Sequence, residues 1–393
     1  MVRVIDDFIK FTRPMNLVPL YCKWAMIALG SAMLSRRVYM HSDAFGYIYP
    51  TMYIIFVGRP GTGKTMAIDR ACEWFLDDLP FPPNYAADCS SPAAFLEEFQ
   101  RAYKDDVSGN ADHSAVFVRA NELTAWFQDI GGGTFTQYLL SFYDPMPPGK
   151  MWKKKLIRDG GNLEFPNPAL TLFAATTPDH IKNSKLVESA GMGFISRCIF
   201  VCEPNWYDHI AGSPQLDQTL KQSIKSTFRN LMGMHGEFVY SEDAQQELRN
   251  DVDYKNEWMK EHLGETLFSH FVVRRDRHIR KTALIISALR NLTKIVTGED
   301  IRDARTLIEE LEENYMYAFG QRIKFNDEAL WDRVITKMAP GKPVSYKWFV
   351  EEFEKDGQAL PWNEEVRSVF KGMAMSGKIK ILERDGETLY EKI

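Results

Sequence analysis

The sequence predicts an α/β protein built on a parallel five-stranded sheet, with helices before and after it. Short apolar runs alternate with segments of helical pattern, as in parallel sheets that are covered by helices on both faces. The runs occupy residues 53–57, 85–89, 115–118, 169–175 and 198–202. A glycine-rich segment, Gly58 to Thr65, directly follows the first run, and a helical pattern then extends from Met66 to Leu76. From about Asp217 to Gly320 the pattern is again helical.

Two helices are predicted ahead of the sheet, over Ile5–Phe11 and Val18–Met33, where apolar residues recur every three or four positions. Pro14 separates them, because proline lacks the N–H group that continues a helix. The apolar window from Met15 to Leu34 is about as long as a membrane span, but it contains Lys23. We therefore predict a buried helix there and no association with a membrane.

The glycine-rich segment has the Gly-x4-Gly-Lys-Thr spacing of a phosphate-binding loop and lies between a strand and a helix, where such a loop occurs. Glycines let the backbone curl so that its N–H groups and the helix N-terminus face the phosphates. Lys64 is expected to reach the terminal phosphates and Thr65 to ligate Mg²⁺. We predict ATP and Mg²⁺ as cofactors, bound by Gly58, Arg59, Pro60, Gly61, Thr62, Gly63, Lys64 and Thr65.

Two polar residues after the third apolar run, Asn121 and Glu122, are candidates for the chemistry of hydrolysis. Hydrolysis of a triphosphate needs a group that positions the metal and a group that orients the attacking water. We assign the water to Glu122, the only carboxylate at this strand end. Asn121 is expected to hold a metal-bound water, although it brings no charge. The alternative is that Glu122 is a surface glutamate.

Thr176 and Thr177 end the fourth apolar run, which we expect to lie between the phosphate-loop strand and the Glu122 strand. A small polar side chain at this place can donate a hydrogen bond to the γ-phosphate or contact the attacking water. We assign this role to Thr177, although either threonine could perform it. The alternative is ordinary turn chemistry before Pro178.

Arg197 directly precedes the last apolar run, within the segment Gly191 to Arg197. A charge at that end of the strand lies at the edge of the domain, away from the phosphates of its own chain. It could complete the site of a neighbouring subunit and stabilise transition-state charge. An ion pair at the strand edge is the alternative.

A basic insertion precedes the threonine strand, from Lys150 to Phe165. Asp159-Gly160-Gly161-Asn162 lies between two strand-like runs and predicts a hairpin turn. Residues 151–158 carry four cations and no acid. We expect Lys153, Lys154 and Lys155 to neutralise DNA phosphates in a salt-sensitive, sequence-independent contact. A solvated hairpin without a ligand is the alternative.

These motifs together resemble the AAA+ ATPases, in particular the minichromosome-maintenance helicases and the phage and prophage primase/helicase-like ATPases. The resemblance is carried by Gly58–Thr65, Ala115–Glu122, Leu170–Pro178 and the Ser-Arg element in Gly193–Arg197. It implies a homo-oligomeric ring, most often a hexamer, with ATP between subunits, a helical lid, and a hairpin in the pore. Two departures are Asn121, where the family has Asp, and Thr177, where the helicases usually have Asn.

The resemblance also implies that an arginine from the lid contacts the phosphates. The segment from Val273 to Lys281 offers four candidates, of which we favour Arg280 at a helix start, with Arg277 second. The alternative is a solvated basic helix face.

The last segment, residues 325–393, is similar to a winged helix. Three helices are predicted over Asp327–Met338, Ser345–Glu354 and Asn363–Ser376, followed by a hairpin around Asp385-Gly386. Its 11 Lys and Arg against 13 Asp and Glu give a net charge of -2, so strong binding of a duplex is not expected. Docking of a protein, or a weak contact through Lys378, Lys380 and Arg384, is as plausible.

Composition limits the function further. The chain of 393 residues has a net charge of -5, which excludes a generally basic nucleic-acid coat. Five scattered cysteines without a C-x-x-C pair favour a reducing cytoplasm, that of the host if the chain is phage-encoded. We expect an N-terminal helical region (1–50), an ATPase core (51–215), a lid (216–324) and a winged helix (325–393).

The expected function is that of an ATP-driven ring that translocates on single-stranded or forked DNA, as a replicative helicase of phage or mobile-element type. Replication proteins are the expected partners. One alternative is an AAA+ loader or DNA-binding switch that unwinds nothing. Another is a structural scaffold for transposition or packaging.

Overall fold

The structure is a computed structural model of the chain. It describes residues 2–42, 46–86, 91–104, 113–123, 132–143, 146, 150–155, 162–183, 193–205, 215–261, 267–312, 314–319, 335–339, 341–355, 370, 373–374, 378–384 and 387–392. The chain divides into two units, Met1–Phe319 and Gly320–Ile393.

The first unit begins with two helices and a strand pair. Helices α1 (Arg3–Thr12) and α2 (Pro19–Leu34) confirm the two predicted helices, and a single 3₁₀ turn, Arg13–Met15, separates them. Strands β1 (Val38–Ser42) and β2 (Gly46–Ile48) form an antiparallel pair that was not predicted. Almost all of α2 is buried, as expected, and among the described residues no helix is long and apolar enough to cross a membrane.

The central sheet and its helices follow. In chain order they are β3 (Tyr53–Gly58), α3 (Lys64–Phe75), α4 (Pro92–Lys104), β4 (Ser114–Ala120), α5 (Gly132–Tyr143), β5 (Met151–Lys155), β6 (Asn162–Pro166), β7 (Pro168–Thr176), α6 (Pro178–Asn183) and β8 (Cys198–Glu203). Strands β4, β7, β3 and β8 lie in that order and are all parallel. The threonine strand β7 therefore lies between the phosphate-loop strand and the Glu122 strand, as predicted.

A fifth strand was predicted over residues 85–89. Tyr85 forms one parallel bridge to Phe117 of the outer strand β4, at the position that a fifth strand would occupy. Residues 87–90 lie outside the part of the chain that the structure describes, so the described sheet has four strands and this bridge.

Helices cover both faces of the central sheet, as the apolar runs predict. Alternate residues of a strand point to opposite faces. Phe56 faces α2, where its ring stacks on that of Tyr21 with the centroids 4.7 Å apart. Tyr53 faces α5, where its hydroxyl donates a hydrogen bond to the Leu139 carbonyl oxygen (2.7 Å).

The segment predicted as a helical lid contains α7 (Gln218–Leu231), β9 (Gly236–Tyr240), α8 (Glu242–Glu261), α9 (Leu267–Asn291), β10 (Ile295–Val296), α10 (Gly298–Glu312) and a 3₁₀ turn (Tyr315–Phe319). Strand β9 pairs in parallel with β1 and β10, which gives a second sheet of order β10-β9-β1-β2. This sheet joins the N-terminal region to the lid. Residues 1–50, 51–215 and 216–319 all lie within the first unit.

The second unit contains β11 (Val344–Ser345), α11 (Tyr346–Lys355), β12 (Ile379–Arg384) and β13 (Glu387–Lys392). The last two strands pair in antiparallel register and confirm the predicted hairpin, although its turn lies outside the described residues. Helix α11 confirms the middle predicted helix. The first and third predicted helices fall mostly outside the description, within which residues 335–337 and 373–374 are helical. The rings of Phe349, Phe370 and Tyr390 form the core.

Candidate nucleotide site

The loop between β3 and α3 has the backbone that its glycines predict. Gly61 and Gly63 have φ values of 85° and 78°, a conformation that other residues rarely adopt. A Cβ atom on Gly58 would lie 2.5 Å from the Tyr21 hydroxyl and 2.7 Å from the Thr62 hydroxyl, so only glycine fits there. The Tyr21 hydroxyl, which donates a hydrogen bond to the Val57 carbonyl oxygen (2.9 Å), supports the strand end just before the loop.

Lys64 closes over this loop. Its amine donates hydrogen bonds to the carbonyl oxygens of Gly58 (2.7 Å) and Arg59 (2.8 Å), and the residue is 7% exposed. Burial lowers the pKa of Lys64 to about 8, against the opposing effect of the nearby Glu122 carboxylate. The amine is therefore positioned at the phosphate end of the loop and is easier to deprotonate than an exposed lysine.

Glu122 lies just beyond the end of β4 and is held by two neighbours. One carboxylate oxygen accepts a hydrogen bond from the Thr176 hydroxyl (2.6 Å), and the other lies 2.8 Å from Nδ1 of His180. The carboxylate remains partly exposed. The structure thus gathers Lys64, Glu122 and Thr176 at the carboxyl edge of the central sheet, the edge at which its strands end.

The structure separates the two threonines, of which Thr177 was favoured for the contact with the γ-phosphate or the water. Thr177 lies at the start of α6, where its hydroxyl accepts a hydrogen bond from the backbone N–H of His180 (3.2 Å). This is the turn chemistry that formed the alternative. Thr176 is the threonine that contacts Glu122, because it is the last residue of the buried strand β7.

His180 was not singled out from the sequence. It lies in the first turn of α6, which begins directly after β7, and so it reaches the same sheet edge as Glu122. The sequence offered one signal for it, namely a histidine four residues after the end of the threonine strand. The periodic pattern of apolar residues gave this histidine no role.

Thr65 and Asn121, the residues predicted to hold Mg²⁺, are both near this edge. Thr65 is the second residue of α3 and is half-buried, whereas Asn121 is exposed beside Glu122. Within the described residues, no cluster of three His, Cys, Asp or Glu side chains could hold a metal by itself. A hydroxyl and an amide oxygen fit Mg²⁺ when phosphate oxygens complete its shell.

Arg197 lies at the opposite, amino edge of the central sheet. Cys198, the next residue, pairs with Tyr53 at the start of β3, whereas Gly58 pairs with Glu203 at the end. Five residues of strand, roughly 17 Å, separate the two edges. Arg197 is 9% exposed, and its guanidinium donates a hydrogen bond to the Gly193 carbonyl oxygen (2.7 Å). It lies away from the phosphate loop of its own chain, as expected, but it is buried in that chain.

The prediction that Arg280 lies at a helix start is wrong. Helix α9 begins at Leu267, so Arg280 is in its middle. Its guanidinium lies 5.7 Å from the Tyr240 ring centroid, and the residue is 8% exposed. The adjacent Lys281 donates a hydrogen bond to the Thr51 carbonyl oxygen (2.7 Å), two residues before β3. Arg280 is therefore at the amino edge, and its contact with phosphates of the same chain is unsupported.

The other arginines of this segment are not a solvated face either. Arg275 is buried and ion-paired with Asp251 (3.2 Å) and Glu312 (2.6 Å) from α8 and α10. Arg277, the second candidate, is half-buried on the same helix. These acids explain why α9 extends through a basic segment.

The basic hairpin is confirmed, because β5 and β6 pair in antiparallel register. Its predicted turn lies outside the described residues. The three lysines do not share a face, however, since side chains alternate along a strand. Lys153 and Lys155 are exposed, whereas the Lys154 amine packs 4.6 Å from the Tyr138 ring centroid. Lys153 also faces Glu164 across the hairpin (3.2 Å).

Comparisons with models of protein families and with curated proteins found no match to this chain. Its function is therefore inferred from the geometry of the site.

Proposed function

We propose that this chain is an ATPase of the AAA+ class, which binds ATP with Mg²⁺ and hydrolyses it at the carboxyl edge of the central sheet. The observation that carries the proposal is the meeting of Lys64 and Glu122 beside a loop whose backbone only glycines can adopt. The sheet order supports it, since β7 brings Thr176 between the loop and Glu122.

Each residue has a distinct role in this proposal. Loop N–H groups and the start of α3 bind the phosphates, and Thr65 ligates the Mg²⁺ ion that neutralises their charge. Lys64 exchanges the Gly58 and Arg59 carbonyl oxygens for phosphate oxygens, which stabilise its charge better in this buried setting. Glu122 orients the attacking water, and Thr176 and His180 hold its carboxylate in place.

We further propose that copies of the chain assemble into a ring of six, by analogy with the family that the chain resembles, and move along DNA.

 
Arg197 would then serve the site of the neighbouring copy, which requires its guanidinium to leave the Gly193 carbonyl oxygen. Lys153 and Lys155, on the exposed face of the hairpin, supply the contact with DNA phosphates. ATP turnover in one copy is thereby coupled to the position of its hairpin on the strand.

The test of the ATPase is steady-state phosphate release by the wild-type protein, Lys64→Ala and Glu122→Gln. We expect both variants to lose at least about 100-fold in turnover. Glu122→Gln should still bind ATP, because its contact is to water rather than to phosphate. Lys225→Ala, which removes an ion pair with exposed Asp78 (2.9 Å), is the control and should keep full turnover. Unchanged turnover in both site variants would contradict the proposal.

A loader or switch without unwinding activity is the second candidate. Two observations favour it: Lys154 is packed on Tyr138, and Lys153 is paired with Glu164, so the hairpin presents less free charge than its sequence suggests. Strand displacement on a forked substrate separates the two functions. Displacement by the wild-type protein that is lost in Lys64→Ala supports the motor, whereas ATP turnover without displacement supports the loader.

A further inference from the structure

A cavity of about 1180 Å³ lies at the amino edge of the central sheet, where Ala115 near the start of β4 and Thr171 of β7 contribute to its wall. The phosphate loop is at the other edge, so this cavity is separate from the candidate nucleotide site. Its volume exceeds the roughly 300–1,000 Å³ of ordinary small-molecule pockets. It therefore has room for a ligand larger than a single small metabolite.

The described lining of this cavity is basic. It contains Arg36, Arg37, Arg101 and two histidines, and no Asp or Glu. Arg36 donates hydrogen bonds to the carbonyl oxygens of Phe142 and Pro168, which orient its guanidinium. Arg101 is paired with Glu98 (2.5 Å), just outside the lining. In a chain of net charge -5, this concentration of arginine favours an anionic ligand.

An exposed aromatic ring stands at the mouth of the cavity. Phe81 is 62% exposed, and the prolines at positions 80, 82 and 83 restrict the backbone on both sides of it. Arg101 is bonded to the same segment of chain, since its guanidinium donates a hydrogen bond to the Tyr85 carbonyl oxygen (2.8 Å). An exposed ring and guanidinium groups in one lining can bind a base by stacking and its phosphate by charge.

The cavity is also connected to the basic hairpin. Asn167 joins β6 of the hairpin to β7, and its amide donates a hydrogen bond to the hydroxyl of Tyr49 (3.3 Å). Tyr49 lines the cavity. This hydrogen bond places the base of the hairpin next to the cavity wall.

We propose that this cavity binds nucleotide units of a single-stranded nucleic acid, with a base stacked on Phe81 and a phosphate at Arg101. The inference rests on the proposed movement along DNA and names a second contact for the strand. The hairpin lysines contact only phosphates, whereas the cavity would also hold the strand through its bases.

Fluorescence anisotropy with a fluorescein-labelled oligothymidylate, at one fixed salt concentration, tests this inference. Phe81→Ala should weaken binding by between about 5- and 150-fold, the range that corresponds to the loss of one base stack. Phe81→Tyr keeps a ring and should restore binding. Arg101→Ala should also weaken binding. Arg302→Ala is its matched control, because Arg302 is a similarly exposed arginine paired with an acid, Glu247, on other helices.

The outcomes separate this inference from the function on which it rests. If the wild-type protein binds the oligonucleotide and both Phe81→Ala and Arg101→Ala bind it equally well, the cavity inference is overturned and the proposed function stands. If the protein hydrolyses ATP but binds no oligonucleotide, the inference and the DNA half of the function both fail. A competition experiment uses Lys64→Ala, whose phosphate loop is disabled. If ATP displaces the oligonucleotide from this variant, the cavity binds free nucleotides, and its assignment to a nucleic-acid strand is overturned.

Discussion

The two edges of the central sheet hold their charged side chains in different ways. At the carboxyl edge, Glu122 is held by the side chains of Thr176 and His180 and stays partly exposed. At the amino edge, Arg197 is buried and bonded to a main-chain carbonyl oxygen, and Arg280 is buried against a tyrosine ring. Groups at the first edge can meet a ligand in their present positions, since ligands of open parallel sheets bind beyond the carboxyl ends of the strands. Arg197 and Arg280, by contrast, must move to meet a ligand or serve structure.

The largest expected effect separates Arg197 from Arg280. Arg197→Ala should lower ATP turnover by about 10³-fold or more and leave ATP binding nearly intact, if the arginine acts on transition-state charge in the neighbouring copy as proposed. Arg280→Ala is the matched control, with the same edge and the same burial, and should change melting temperature but not turnover. Turnover and thermal melting of both variants check this difference. Equal turnover in the two would mean that Arg197 is also structural.

A smaller loss is expected at the carboxyl edge when His180 is changed. His180→Ala removes one of the two contacts that hold Glu122, so turnover should fall between about 10- and 100-fold while the KM for ATP stays the same. His41→Ala, which changes an exposed histidine of β1, is the control. A raised KM with unchanged kcat would show that His180 contacts the nucleotide instead of positioning Glu122.

The buried amine of Lys64 gives a pH dependence to ATP binding. Its pKa is lowered to about 8, so above that pH the free protein loses the charge that attracts phosphate. ATP affinity should therefore fall as pH rises, by roughly fivefold between pH 8 and pH 9, as the amine goes from about half to about one-tenth protonated. Isothermal titration at several pH values measures this fall. Lys64→Arg keeps its charge over this range, so its ATP affinity should not change with pH. If its affinity falls as steeply as that of the wild-type protein, Lys64 is excluded as the cause.

The smallest effect distinguishes the two faces of the hairpin. Lys155→Ala should reduce the slope of log affinity for single-stranded DNA against log salt concentration by about 0.7, the loss of one phosphate contact. Lys154→Ala should leave this slope unchanged and lower the melting temperature, because its amine packs on Tyr138. The reverse assignment would show that the hairpin presents its other face to DNA.

Local patterns were enough to predict the parts of the site that lie on consecutive residues. The glycine loop, the Glu122 strand end and the position of β7 follow from apolar runs and motif spacing. Partners from distant segments could not be predicted in the same way. The start of α9 was misplaced because its basic residues looked exposed, whereas Asp251 and Glu312 from other helices bury Arg275.

Pairing between distant strands explains the other errors. Strand β9 is only five residues long and pairs with β1, nearly 200 positions earlier in the chain, so neither segment shows by itself that it forms a sheet. The contact between Glu122 and His180 also joins the end of β4 to helix α6 across the sheet edge. Burial of Arg197 and Arg280 could not be read from sequence, because both residues depend on rings from other elements.

Mixing two inactive variants, Glu122→Gln and Arg197→Ala, tests the central claim most directly. Each variant alone lacks one half of every site, but in a mixed assembly some sites combine an intact Glu122 from one copy with an intact Arg197 from its neighbour. We predict that ATP turnover reappears on mixing and is absent when either variant is mixed with a Glu122→Gln, Arg197→Ala double variant, which cannot supply the missing half of any site. Turnover that never reappears, in assemblies shown by light scattering to contain both variants, would contradict the sharing of each site between copies.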